Sequence, residues 1–190
     1  MIDLSKGSRI NLSKEAPGAT KFTLGMGWDT RITDGASFDL DASALLLDTN
    51  EKPVGDTASL VFYSQLSSPC GGVESSGDNR TGEGEGDDET ITVDLEKLNA
   101  DVAKIILVVT IHEADARGQN FGMVNNAFVR VLKDGSNDPV ARYDLSEDYS
   151  TETAVIFGEI YKKDDTWRFA AKGDGFAGGL AAFLTGYGLN

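Results

Sequence analysis

The chain has 190 residues, 40% of them hydrophobic, and 31 acidic side chains against 17 basic ones give a formal charge of −14. A chain of this length buries about 70% of its unfolded surface and needs no metal or disulfide merely to fold. So acidic a balance excludes a nonspecific grip on nucleic acid, which requires clustered Lys and Arg, and it is repelled by an anionic membrane unless bound cations bridge the two.

Short period-two segments punctuated by Gly, Asp or Asn recur at 21–28, 38–47, 57–64, 90–95, 104–111, 126–133, 140–145, 153–162 and 166–171, which is the signature of β-strands. Turn signals at Asp134-Gly135 and Lys163-Asp164-Asp165 favour antiparallel connections. About nine or ten strands with one or two short helices predict an all-β, antiparallel sandwich of two sheets, a single domain over 1–190. Helix is expected only around 95–102, where Asp94 can cap it, and at 176–184. Cys70 is the sole cysteine, so no internal disulfide forms. MIDLSKGSRI at the N-terminus lacks the apolar run of a signal peptide, and no stretch approaches the ~18 apolar residues of a membrane span. A soluble cytoplasmic protein is expected.

Residues 77–89 read GDNRTGEGEGDDE, with Asp78, Glu83, Glu85, Asp87, Asp88 and Glu89 set among glycines and Arg80 as the one local cation. Two carboxylates held ~5 Å apart repel by about 3 kcal/mol at an effective dielectric of ~20, so an ordered loop this acidic needs positive charge. Hard divalent cations supply it, and calcium suits an oxygen-only ligand set of carboxylate, amide and backbone oxygens such as Asp78, Asn79 and Glu83 offer. Gly82, Gly84 and Gly86 let the backbone turn its carbonyls toward an ion. The competing reading is a solvated, disordered loop. The loop is no EF-hand, since Arg80 and Glu83 occupy its third and sixth places. GEGEG is no phosphate loop either, because its acids repel a phosphate.

Strand parity predicts that 29–37, 65–89, 112–125, 146–152 and the stretch after Lys172 share one end of the sandwich. Asp39 and Asp41, at i and i+2 on the second strand, point to one face beside that end, and Asp29 closes the preceding strand. Asp29, Asp39, Asp41, the acidic loop and Glu113 or Asp115 are thereby expected to supply oxygens to one acidic apex. The alternative for Asp39 and Asp41 is ordinary solvent-facing alternation.

GMGWD at 25–29, FDLDAS at 38–43, GDNRTGEGEGDDE at 77–89 and IHEA at 111–114, in that order along essentially the whole chain, resemble the TerD family of tellurium-resistance and stress-response proteins. The resemblance implies a sandwich like that of calcium-dependent C2 domains, holding typically two calcium ions. It places metal binding on Asp39, Asp41, Asp78, Asn79, Gly82, Glu83, Glu85, Asp88 and Glu89, with Asp29 and Asp87 ranked below them. It also implies bacterial cytoplasm, partners among other tellurium-resistance and stress-complex proteins, and peripheral association with the inner membrane through those partners.

Catalytic constellations fare poorly. Cys70 and the only histidine, His112, have no spacing that joins them as nucleophile and base, and acidic surroundings are expected to raise the Cys70 pKa. Gly173-Asp174-Gly175-Phe176-Ala177-Gly178 satisfies G-x-G-x-x-G but opens no βαβ unit. Pairs such as Asp39 with Asp41 lack the apolar cleft that a glycosidase acid needs. The sequence therefore predicts a noncatalytic, calcium-dependent interaction module without a small-molecule substrate. Its rivals are a scaffold with permanently bound calcium and a direct binder of tellurium oxyanions, the latter disfavoured by a −14 surface that repels anions.

Overall fold

The computed structural model describes residues 1–30, 38–77 and 86–189. Among these, twelve strands, numbered in chain order, form two six-stranded sheets. The first runs β1 (Ile2–Leu4), β10 (Pro139–Asp144), β9 (Val124–Lys133), β3 (Lys21–Thr30), β7 (Glu89–Asp94) and β6 (Val73–Ser75). The second runs β2 (Arg9–Asn11), β12 (Thr166–Phe176), β11 (Ala154–Lys163), β8 (Lys104–Ile111), β4 (Leu40–Leu47) and β5 (Leu60–Val61). All pairings are antiparallel except β1 with β10. Eight of the nine predicted strands are present over most of their length, and the one predicted at 57–64 is reduced to the two residues of β5.

Alternation puts Phe22, Leu24, Met26 and Trp28 of β3 and Leu40, Ala42, Ala44 and Leu46 of β4 into the core between the sheets. Leu45, Leu47, Ile106 and Val108 point the other way, into a second apolar cluster closed by Phe183 of the helix Gly179–Gly186 and by Leu189. Both faces of β8 are thus covered, which is why KIILVVTI is nearly all apolar instead of alternating. The link at 164–165 is a two-residue turn with positive φ at Asp164 and Asp165, the geometry that matches strand twist.

Local differences from the sequence reading have identifiable causes. The three added strands β1, β2 and β6 have three residues each, too few to show a period. Of the predicted strand at 57–64, Asp56–Ser59 is a 3-10 turn, Leu60–Val61 alone joins the sheet, and Phe62 makes an isolated bridge to Gln65. The helix expected at 95–102 does not form. Asp94 does accept from the Glu96 N–H, but the chain continues through single turns to β8 at Lys104. The C-terminal helix starts later than expected because β12 runs on to Phe176 and Gly178 turns the chain at φ 94°.

Pairing of Met26 with Glu89, Asp29 with Asn125, Leu40 with Ile111 and Ala154 with Phe176 gathers the predicted ends at one pole. The first part of the predicted loop is the exception: residues 65–77 double back so that Val73 pairs with Val93 and Gly72 packs on Leu98, which carries Cys70 to the pole opposite His112. There burial raises the Cys70 thiol pKa, but hydrogen bonds from the Ser68 hydroxyl and nearby backbone N–H groups outweigh it and leave a net lowering, opposite to the sequence expectation.

Candidate metal centre

Glycines on β3 prepare the surface onto which the acidic loop returns. Met26 and Trp28 point inward, so Gly25 and Gly27 lie on the outer face of the sheet. A methyl group at Gly25 would overlap the Asp87 carboxylate, and one at Gly27 would overlap the Phe128 ring. Asp87 lies over this bare backbone and receives two hydrogen bonds from Arg130, at 2.7 Å from Nε and 3.0 Å from Nη2. Arg130 stands directly across from Gly25 in the β3–β9 pairing.

The next two residues are tied to both sheets. Asp88 donates its N–H to the Met26 carbonyl at 2.8 Å, and its Oδ2 accepts the Trp28 N–H at 2.8 Å. Trp28 lies within a register shift of the β3–β9 ladder between Gly27 and Asp29, so the carboxylate satisfies an N–H at an irregular rung. Glu89 is 3% exposed, and its Oε2 accepts the Ala42 N–H at 2.7 Å. That bond crosses from β7 in one sheet to β4 in the other.

The remaining expected ligands that the structure describes divide between this stem and a separate cleft. Asp29 accepts from Asn126 Nδ2 at 2.6 Å. The backbone carbonyl of Asp39 accepts the His112 N–H at 2.8 Å, while its side-chain Oδ1 is buried without a hydrogen-bond partner among the described residues. Asp41, 7% exposed, lines a cleft of about 380 Å³ together with Thr110, His112, Glu113, Asp115 and Thr153. By alternation with Leu40 and Ala42 it shares the outer face of its sheet with Leu45 and Leu47. Asp41, Glu113 and Asp115 are therefore brought together around the cleft, and Asp29, Asp87 and Asp88 around the stem. Asp78, Asn79, Gly82, Glu83 and Glu85 lie outside the described residues. Among the described residues no three Asp, Glu, His or Cys side chains close on one point as a metal cage.

Electrostatics single out Asp88. Burial, and then the anionic Asp29 and Asp87, raise its pKa above the usual carboxylate value despite the bond from Trp28 N–H. A raised folded-state pKa means that Asp88 favours the fold when protonated, and that this contribution fades as pH rises through the raised value. Its charged form is disfavoured at this site, and a cation there would relieve that cost. The buried Asp39 Oδ1 lacks a hydrogen-bond partner among the described residues, and a buried polar atom is costly unless paired. An oxygen-only donor set of this kind fits a hard cation such as calcium.

Sequence reasoning did not find the Asp87–Arg130 pair, although glycines at 25 and 27, two apart on one strand, signal that something packs closely on that face. It also missed the cleft that Asp41 shares with Thr110 and Thr153.

A TerD domain model matches residues 1–187. The chain is 53% identical over 189 residues to the "Tellurium resistance protein TerD" of an Alcaligenes species, covering 100% of this chain and 98% of that one. It is 49% identical over 189 residues to "General stress protein 16U" of Bacillus subtilis, covering 99% and 97%. Among solved structures, a homologue of the telluride resistance protein from Streptomyces coelicolor superposes with a TM-score of 0.72 at 25% identity, covering 87% of this chain and 95% of that one.

Proposed function

This chain belongs to the TerD family of tellurium-resistance and stress-response proteins, and from that premise we propose that it is a noncatalytic calcium-binding module whose acidic pole, when loaded, offers a changed surface to protein partners. The observation that carries this reading is the Asp39 carboxylate oxygen, buried beside an acid-rich pole with no hydrogen-bond partner among the described residues. Asp29, Asp41, Asp88 and Glu89, with the loop carrying Asp78, Asn79, Gly82, Glu83 and Glu85, would hold the ions, two by the family pattern. Bound calcium would supply concentrated positive charge among crowded carboxylates. The chain's own contribution is to hold Asp88 against β3 and Glu89 against β4. Partners are proposed among other proteins of the same stress response, in the cytoplasm and at the membrane through those partners.

Calorimetric titration with calcium tests the reading together with melting at millimolar calcium. Binding to the folded state alone stabilises by about 2.7 kcal/mol per site at one hundred times Kd. No heat and no change in melting temperature would overturn it.

One further observation favours a permanent structural ion over a signal. Asp88 and Glu89 are already hydrogen-bonded into the two sheets, so part of the site is built into the fold. Affinity far tighter than resting cytoplasmic calcium supports the permanent ion, and micromolar affinity supports the sensor. Direct handling of tellurium oxyanions is the weaker reading, because an acidic pole repels anions, and failure of tellurite to compete with calcium removes it.

A further inference from the structure

Asp87, ranked low among the expected metal ligands, is already paired with Arg130, a cation close beside the proposed ion-binding pole. Their side chains are only 12% and 26% exposed, and the two-pronged contact fixes the carboxylate in orientation as well as position. The contact exists only because position 25 lacks a side chain. Immediately beyond it, the Asp88 N–H to Met26 carbonyl bond and the Met26–Glu89 pairing begin the β3–β7 ladder. A terminal rung of this kind opens easily unless held from outside. Gly86, at φ 118°, gives the chain the bend that delivers Asp87 to the sheet.

We propose that Arg130 is the positioning residue of the acidic pole: by clamping Asp87 over Gly25 it fixes the return of the loop, so that the Asp88 and Glu89 carboxylates stand in place before a cation arrives. This rests on the calcium reading for its purpose, but not for its geometry. Charge alone makes the opposite prediction. A guanidinium near a calcium site repels the ion, and removing it would also release Asp87 as a further anion, so a purely electrostatic role requires tighter binding once Arg130 is lost.

Calcium calorimetry at fixed ionic strength on Arg130→Met, Arg130→Lys and Gly25→Ala, with Arg142→Met as control, separates the two. Arg142 lies on the same face, 3.9 Å over the Phe128 ring and paired with Asp144. Loss of the clamp is expected to weaken calcium binding by about tenfold or more, the usual scale for removing a group that orients ligands. Arg130→Lys keeps the charge but loses the fork and should fall with Arg130→Met, while the control stays near wild type. Calcium affinity equal to or above wild type in Arg130→Met would overturn the proposal. Amide exchange without calcium gives a second readout: the Trp28 and Asp88 N–H groups should exchange faster in Arg130→Met than in wild type. If wild-type protein takes up no calcium, the calcium reading fails by itself, and unchanged exchange at these two amides is then what defeats the clamp.

Discussion

Glu89 serves strand structure through its bond to Ala42 and, under the calcium proposal, would hold an ion as well. β5 pairs only with Ala44 and Leu45, so the Ala42 N–H lies beyond the reach of that edge and is taken by Glu89 Oε2. Glu89→Ala would leave a buried N–H unsatisfied, a loss of about 2 kcal/mol, or about 4–8 °C in melting temperature for a chain of this size. Glu89→Gln keeps an oxygen acceptor for Ala42 while removing the charge. Its calcium-free melting temperature should stay within about 2 °C of wild type, with the stabilisation by calcium much reduced. Thermal melts of both variants with and without calcium check this, and equal calcium-free melting of the Ala and Gln forms would refute the structural half of the role.

At the scale of elements, the helix Gly179–Gly186 stands apart from the main core. Phe183, 3% exposed, stacks on Phe176 with ring centroids 5.9 Å apart and closes the outer cluster over Leu45, Leu47, Ile106 and Val108. Phe183→Ala should cost about 3–4 kcal/mol, expressed mainly as local opening: faster amide exchange in the helix, with protection retained in β3 and β9. Uniform loss of protection would show instead that the two clusters unfold as one. The same division explains what was readable from sequence. Long strands such as β3, β8 and β11 carry enough period or apolar length to be located, and parity then places Asp29, Asp39 and Glu89 at one pole. β1, β2 and β6 take their conformation from neighbours rather than from their own residues, so they were not legible. Missing β6 is what misplaced Cys70. The Asp87–Arg130 clamp was hidden for a related reason: 43 residues separate its partners, and only strand register brings Arg130 opposite Gly25.

At the scale of the whole molecule, the charge of −14 is opposed locally by pairs such as Arg130–Asp87 and Lys172–Glu159, yet the acids at the proposed calcium pole remain crowded. Self-repulsion of this kind is long-ranged at low salt, where the Debye length is about 30 Å at 0.01 M, and is confined to about 8 Å at 0.15 M. Monovalent salt should therefore raise the melting temperature of the calcium-free protein, because it screens repulsion among Asp29, Asp87, Asp88 and their neighbours. The same salt should weaken calcium affinity, because it also screens the attraction that gathers the ion. Two bound calcium ions would bring the net charge from −14 to about −10 with the whole change at one pole, so the loaded protein should respond less to salt than the calcium-free form. Melting curves at both ionic strengths, with calcium present and after its removal by chelation, measure all of these slopes. Equal salt dependence of the two forms would mean that the ions sit away from the crowded carboxylates and would remove Asp88 from the ligand set.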